Sequence, residues 1–365
     1  MKIFEITSFL EQIAPLAYQE SYDNSGLIVG DLNADIKQAL VSLDCTETII
    51  DEAIAHNCNL IIAHHPIVFS GLKKITGKNY VERVIIKAIQ NNIAIYAIHT
   101  NLDSVLNGVN GKIAEKLGLQ NCRILAPKSN FLSKLVTFAP VAYADKVRQA
   151  LFDAGAGNIG NYSEASFNST GTGTFKGNEK SNAFVGEKNI RHYEDEIKIE
   201  VIYETYKTGA ILQALRSNHP YEEVAYDILA LSNLHQQVGS GLVGTLPQAM
   251  NEQEFLVYLK SVMKVNVIRH TELLGKTVKT VAVCGGSGSF LLGNALAAKA
   301  DVFISADFKY HEFFDADGKI LIADIGHFES EQFTPELLME IITKKFPTFA
   351  IRLTEKNTNP IKYLA

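Results

Sequence analysis

Short apolar runs alternate with amphipathic segments through residues 38–98, and this alternation leaves few folds open to the chain. The runs at residues 38–44, 60–63 and 93–98 are short and strongly apolar, which is typical of buried strands. The intervening residues 46–56 and 80–91 place apolar side chains at helical spacing. Strand, helix, strand, helix, strand is the order of a parallel sheet with crossover helices.

The sequence changes character near Pro127 and changes back near residue 239. Residues 128–238 show the order β-α-β-β-α-β, which is ferredoxin-like, and strands and helices of the first type return after residue 278. We therefore predict an α/β fold with a split three-layer α/β/α core and an inserted ferredoxin-like α+β domain. The core halves are residues 1–127 and 239–365, and the insert is residues 128–238.

Charge, hydropathy and cysteine content argue against several classes of protein. The formal net charge of -6 gives no strong sign of nucleic-acid binding, which needs a basic surface. No apolar run reaches the roughly 18 residues of a membrane span, so we expect no membrane partner. The four cysteines form no CxxC pair, and we expect reduced thiols in a cytoplasmic protein.

Histidines and a carboxylate follow two of the predicted strands. His64 and His65 come directly after the run at 60–63, at the end of the strand where α/β sheets bind ligands. They fit a metal site, although two hydrogen-bonded structural histidines would fit as well. His99 and Asp103 follow the next strand. Asp103 suits a ligand or a helix N-cap, and for His99 we favour a structural role.

A third candidate pair lies in the second half of the core. His327 and Glu331 are four residues apart, so on a helical turn they share one face. Three imidazoles and two carboxylates exceed the usual ligand set of one catalytic zinc and suit two ions, with imidazole favouring zinc, iron or manganese. We therefore predict two divalent ions per chain, held by His64, His65, Asp103, His327 and Glu331.

Polar residues also follow the strand at 302–305. His311 could act as a general acid or base, and Lys309 could contact an anion. Asp307 is a further catalytic candidate, although an N-cap explains it too. We therefore predict Asp307 and His311 as the catalytic residues.

Five segments of the chain resemble, in order, motifs of the GTP cyclohydrolase 1 type 2 homologs, also called the NGG-one-interacting factor three family. The matching segments are residues 22–27, 62–66, 99–103, 306–311 and 326–331. The resemblance implies a two-metal site on the same five residues, His64, His65, Asp103, His327 and Glu331. Tyr22 stands where a tryptophan is expected, a change that touches no ligand.

The insert resembles the divalent-cation-tolerance and PII-like signalling proteins, mainly through His219-Pro-Tyr-Glu-Glu223. For His219 itself we favour a structural role. The resemblance implies a homohexamer built from two trimers.

Two functions follow from the ligand set and the resemblance. The first is a metal-dependent hydrolase that acts on a small-molecule or nucleotide-like ligand, with opening of the guanine ring of GTP as the reaction that the family name implies. The alternative is a non-enzymatic metal-binding scaffold or regulator, with the insert as a ligand-sensing or assembly module.

Overall fold

The chain folds into two compact units, and the computed structural model describes residues 1–364. The first unit, which we call the core unit, comprises Met1–Pro127 and Gln237–Ala365. The second, the insert unit, comprises Lys128–Gln236. The predicted insert, residues 128–238, begins at the same residue as the insert unit.

The helices and strands follow one another in three runs. Before the insert, the core unit contains α1 (Ile3–Ile13), β1 (Gly26–Val29), β2 (Ala39–Ser42), α2 (Glu47–Ala55), β3 (Leu60–Ala63), α3 (Tyr80–Gln90), β4 (Ala94–Ala97), α4 (Thr100–Asp103), α5 (Val109–Lys116) and β5 (Gln120–Pro127). The insert unit contains β6 (Leu132–Pro140), α6 (Ala144–Asp153), β7 (Phe167–Lys176), β8 (Arg191–Glu204), α7 (Thr208–Asn218) and β9 (Tyr226–Leu231). The core unit resumes with β10 (Gly239–Asn251), α8 (Glu252–Val262), β11 (Arg269–His270), β12 (Thr277–Ser287), α9 (Leu292–Ala297), β13 (Val302–Ala306), β14 (Leu321–Asp324), α10 (His327–Glu331), α11 (Thr334–Lys345) and β15 (Ile351–Leu353).

The first sheet of the core unit has the strand order β1-β4-β3-β2-β15. Strands β2, β3 and β4 run parallel, as predicted, and β15 adds a further parallel strand beside β2. These three strands are buried along their whole length. Helices α2 and α3 cover one face through an aliphatic cluster that includes Leu40, Ile49, Ile61 and Val84. Burial on both faces explains why the strands read as continuous apolar runs.

The second sheet of the core unit has the order β11-β14-β13-β12-β10-β5. Strands β12, β13 and β14 are parallel, whereas β5, β10 and β11 are antiparallel additions that we did not predict. Helix α9 packs on this sheet through a cluster that includes Leu292, Ala295, Phe303 and Ile322. In both sheets the parallel strands end in polar segments, which bear the predicted ligands.

The insert unit is a four-stranded antiparallel sheet with the order β7-β8-β6-β9. Its chain order, β-α-β-β-α-β, is the predicted ferredoxin-like one. Helices α6 and α7 pack on one face through a cluster that includes Leu135, Val147, Ile199 and Ile211. The glycine-rich stretch at residues 155–186 forms one regular strand, β7, with irregular segments on both sides.

The four cysteines are free thiols, and three of them, Cys45, Cys58 and Cys284, are buried. Burial raises the pKa of the Cys45 thiol to about 12, so this side chain behaves as a small apolar group. Within residues 1–364, no helix combines the length and the apolar character needed to cross a membrane.

Candidate metal centre

His64 and His65 lie at the point where β3 ends and the chain turns toward Pro66. Their backbone N–H groups still donate to Ser42 and Leu43 of the neighbouring segment, so the two residues extend the sheet pairing. Their rings nevertheless converge, with centroids 4.9 Å apart. His64 is fully buried, whereas His65 lines an open cleft.

Glu331 lies at the middle of the cluster and is buried. Its Oε2 is 3.0 Å from Nε2 of His65 and 3.3 Å from Nε2 of His327, which is one helical turn earlier on α10. Its Oε1 is 3.9 Å from Nε2 of His64. One carboxylate therefore faces three imidazoles that come from both sheets of the core unit.

Asp103, the last residue of α4, completes the predicted set. Its Oδ1 is 3.5 Å from Nε2 of His64, beyond hydrogen-bond length. Both atoms are buried without a hydrogen-bond partner. Buried polar atoms are rarely left unpaired, and two that face each other across such a gap fit an ion between them.

A shared arrangement holds the imidazoles. The Nδ1 of His64 donates to the Ile98 carbonyl at 2.8 Å, and His65 bonds Asp44 through Nδ1 at the same distance. The Nδ1 of His327 lies 2.7 Å from Asp307. In each ring Nδ1 is engaged, which leaves Nε2 for the centre of the cluster. Acceptors of this kind orient metal-binding histidines and fix their tautomer.

His99, for which we favoured a structural role, lies in the same cluster. Its ring centroid lies 5.2 Å from those of both His64 and His65, and its Nδ1 bonds Asp23 at 2.8 Å. His99 follows β4 as His64 follows β3, and this equivalent position in the sequence could have predicted that His99 lies in the cluster. The acceptor residues Asp23 and Asp44 carried no comparable motif, and we did not predict their contacts.

Three overlapping groups of side chains among the described residues have ligand atoms within 4.8 Å of one another. The groups are His64 with His65 and His99, His65 with His327 and Glu331, and His64 with Asp103 and Glu331. The five predicted ligands therefore meet in one place, with His99 as a sixth member.

Electrostatics divide the cluster into neutral and charged members. Burial lowers the pKa of His64 to about 3, which keeps this imidazole neutral and able to bind a cation. Burial disfavours the charged forms of His65 and His327, but carboxylates outweigh it and raise their pKa values to about 10 and about 9. Burial and the Glu331 carboxylate raise the pKa of Asp103 well above its usual value. Burial would also raise the pKa of Glu331, but hydrogen bonds from His327 and His65 hold it well below its usual value.

A glycine makes room for the central carboxylate. Gly286, on β12, has a φ of +63°, and a Cβ there would lie 2.4 Å from Oε1 of Glu331. Its N–H donates to Ser330 Oγ at 2.8 Å, beside Glu331 on α10. Only glycine satisfies both the left-handed backbone and this close approach.

The two predicted catalytic residues have different surroundings. Asp307 accepts from Nδ1 of His327, so it orients a candidate ligand and does not begin a helix. His311 is exposed on the short 3-10 helix Tyr310–Ala316, where its ring lies against Tyr310 and Phe314. It does not line the cleft, and this geometry gives no support to the acid or base role that we predicted for it.

The cluster opens into a cleft of about 810 Å³. Its lining includes four well-exposed aromatic side chains, which are Tyr22, Phe69, Tyr80 and Phe290. The lining contains carboxylates and histidines but neither lysine nor arginine. A flat, partly apolar ligand matches these walls better than a polyanion does.

Fold and site together define an α/β protein with a candidate metal centre, whose predicted ligands come from strand ends of two sheets. The family described as Duf34/NIF3 (NGG1p interacting factor 3) matches residues 1–360, and the chain belongs to this family. A relative from Halalkalibacterium halodurans, named GTP cyclohydrolase 1 type 2 homolog, is 41% identical over 325 residues, or 88% of this chain and 87% of that protein. A Bacillus subtilis relative of the same name is 38% identical over 370 residues and covers 99% and 98% of the two chains. The crystal structure of a Bacillus cereus protein related to NIF3 matches with a TM-score of 0.85 and 37% identity, over 100% of this chain and 99% of that one.

Proposed function

We propose that this protein is a dinuclear metal-dependent hydrolase that acts on a nucleotide-like substrate. One observation carries the proposal: imidazoles whose Nδ1 atoms are held by fixed acceptors surround one buried carboxylate, Glu331. Histidines with a purely structural role need not direct their free nitrogen atoms toward one point, whereas histidines that bind the same metal centre must do so.

The donor set fits two divalent ions of zinc, iron or manganese. Nitrogen and carboxylate oxygen are the ligands that these metals share, and calcium or magnesium sites seldom use imidazole. The residues that would hold the ions are His64, His65, Asp103, His327 and Glu331. His99 adds a sixth donor beside His64 and His65.

A bound pair of such ions would supply Lewis-acid polarisation of the scissile group and an acidified water near neutral pH. The residues of the chain provide position and orientation. Asp44 and Asp307 hold His65 and His327 in one tautomer. Substrate would reach the cluster through the cleft, because Glu331 lines the cleft and both His64 and Glu331 are otherwise buried.

The four exposed aromatic side chains that line the cleft favour a substrate that is recognised through a planar ring. Tyr22, Phe69, Tyr80 and Phe290 each expose more than half of their area, which leaves ring faces open for stacking. A nucleobase meets this requirement, and the relatives are named GTP cyclohydrolase 1 type 2 homologs. Opening of the guanine ring of GTP is therefore the first reaction to test.

The lack of lysine and arginine in the lining favours a second candidate, a protein that holds metal without turnover. Triphosphate-binding enzymes commonly supply fixed cations for the phosphates, and this cleft supplies none of its own. Its carboxylates suit cations, so a metal scaffold or regulator fits the same residues.

Metal content and GTP turnover, measured together, separate the two candidates. Protein loaded with zinc, iron or manganese should contain about two ions per chain. Under the first proposal it converts GTP, seen as a change in purine absorbance, and Glu331→Gln loses both metal and turnover. Retention of two ions with no turnover of GTP or of a phosphoester panel would favour the scaffold. Protein that retains no metal would contradict both.

We also propose a homohexamer of two trimers that works in the cytoplasm. Four free thiols support a reducing compartment. The assembly rests on the resemblance of the insert and has a direct test. Light scattering after size exclusion should give six times the chain mass of 40.2 kDa, and a monomer mass would reject the assembly.

A further inference from the structure

A second cleft, of about 710 Å³, lies within the insert unit. It is formed on the face of the sheet that α6 and α7 leave uncovered, with residues of β7 and β8 as its floor. The segment around Ser181–Phe184 and the segment 221–225 form its sides. None of these residues belongs to the metal cluster.

Aromatic rings dominate one end of this cleft. The ring of Tyr221 lies 6.1 Å from that of Phe175 and 6.4 Å from that of Phe184. Phe138 also contributes to the lining. Phe184 exposes 47% of its area and Phe175 is half-buried, so ring surface remains available to a ligand.

A carboxylate without a cationic partner faces the same space. The Oε1 of Glu196 accepts a hydrogen bond from the Tyr221 hydroxyl at 2.9 Å, and no described lysine or arginine pairs with Glu196. Lys198, two residues along the same face, is already paired with Glu200. Lys176, exposed at the end of β7, lines the cleft as Lys198 does, and Glu222 and Glu223 in the lining offset these two positive charges.

Two glycines of β7 keep the floor open around Glu196. A Cβ at Gly173 would lie 2.1 Å from Oε2 of Glu196, so the carboxylate occupies the place of a side chain there. Gly171 is directly opposite Glu196 in the ladder, and a Cβ at Gly171 would meet nothing within 4 Å. The space above Gly171 is therefore free for a ligand beside the carboxylate.

His219 makes this arrangement rigid, which explains the structural role that we favoured for it. Its Nε2 donates to the Phe138 carbonyl at 2.8 Å, and its Nδ1 accepts from the Tyr221 N–H at 3.1 Å. One buried ring thus fixes the backbone of two lining residues. A cleft that is formed before its ligand arrives loses little conformational entropy on binding.

We propose that this cleft binds a small alkylated ammonium ion. Ring faces attract a cation through their quadrupole, and a carboxylate that has no cationic partner adds a direct charge interaction. An alkylated ammonium presents both a positive charge, which matches Glu196, and an apolar surface, which matches the rings of Phe175, Phe184 and Tyr221. The proposal is independent of the metal site.

Choline and its uncharged isostere 3,3-dimethyl-1-butanol test the proposal on the full-length protein. Ligand-observed NMR should detect choline binding, and the isostere should bind more weakly by about tenfold, since only choline gains the cation–π and carboxylate interactions. Glu196→Gln keeps an acceptor for Tyr221 and should weaken choline binding by about tenfold. Gly171→Leu fills the free space and should abolish binding.

Asp195→Asn is the matched control, because Asp195 is the preceding residue on the same strand and does not line the cleft. It should leave choline binding unchanged. Each variant is checked for native circular dichroism and melting temperature, and the isostere comparison uses unmodified protein throughout. Equal binding of choline and the isostere, or no binding of choline, overturns the proposal.

Discussion

Asp44 and His65, 21 residues apart in the chain, are joined by a hydrogen bond of 2.8 Å between Oδ1 and Nδ1. The second carboxylate oxygen of Asp44 accepts from Thr358, near the end of the chain. The imidazole is therefore oriented by a residue that is itself held in place. This orientation directs Nε2 toward Glu331.

We expect Asp44→Asn to lower metal affinity by roughly 10- to 100-fold, the usual effect of losing such an orienting carboxylate. The amide keeps the size of the side chain but loses its charge, so His65 is held less firmly. Chelator competition on metal-loaded protein measures the effect. Asp51→Asn, which removes an exposed partner of Lys87, is the control and should not change affinity. Equal affinities for the two variants would contradict the role of Asp44.

The direct ligands can be tested against a histidine outside the cluster. His64→Ala should lower metal content, because His64 offers an unpaired, buried Nε2. His56→Ala, at the end of α2, should leave metal content unchanged. Elemental analysis of both variants after identical purification provides the comparison, and a similar loss in both would count against the assignment of His64.

Gly286→Ala should damage the site through two separable effects. The φ of +63° strains any residue with a Cβ, at a cost of about 1 kcal/mol, and the Cβ would also displace Glu331. Gly275 has a similar φ of +69° with nothing near its Cβ, so Gly275→Ala carries the strain alone. Urea unfolding should show both variants destabilised, whereas only Gly286→Ala should lose metal. Metal loss in both would show that strain suffices.

Much of this site follows from the positions of strand ends. Parallel strands bring their carboxyl ends to one edge, so His64, Asp103 and the segment around His327 could be placed together from three apolar runs. The carboxylates that accept hydrogen bonds from the histidine rings could not be predicted from strand ends. Asp23 reaches His99 across 76 residues, and no local spacing specifies that contact.

The antiparallel half of the second sheet was missed for a related reason. Strand β10 contains three glycines and a proline, which usually indicate loops. In the fold these glycines permit close packing: a Cβ at Gly244 would lie 2.8 Å from Sγ of Cys122, and one at Gly239 would lie 2.2 Å from the Ala126 carbonyl. The need for glycine at residues 239 and 244 therefore arises from close neighbours on β5 and not from a turn.

Glu82 should contribute a pH-dependent part of the stability. Its carboxylate accepts from the Thr76 N–H and hydroxyl at 2.8 Å each, and from Lys78 N–H at 3.1 Å. These bonds, that of the Thr76 N–H foremost, lower the pKa of Glu82 below its usual 4.5. A lowered carboxyl pKa stabilises the fold above the unfolded-state pKa, and this stabilisation is lost as pH falls through the folded-state pKa.

Urea unfolding at several pH values, for wild type and Glu82→Gln, measures this contribution. We expect the difference in free energy of unfolding to be greatest at neutral pH and to shrink as pH falls below 4.5. The hydrogen exchange of the Thr76 and Lys78 amides should accelerate in the variant at neutral pH. A difference that stays constant with pH would mean that the charge of Glu82 does not matter.

The aromatic wall of the metal cleft leads to a prediction about ring recognition. Tyr22 exposes 67% of its area in the lining, and burial together with nearby carboxylates, including Asp103, raises the pKa of its hydroxyl. The residue therefore combines an open ring face with closeness to the cluster.

Guanosine, which has no phosphate, isolates the stacking contribution. We expect Tyr22→Ala to weaken guanosine binding to metal-loaded protein by about tenfold, since base–aromatic stacking contributes about 1–3 kcal/mol. Tyr22→Trp should preserve or strengthen binding, because the larger ring offers more stacking area. Calorimetric titration of the two variants, with Phe4→Ala on α1 as an exposed aromatic outside the cleft, completes the comparison. If Tyr22→Ala binds guanosine as tightly as wild type, this ring does not stack on the substrate.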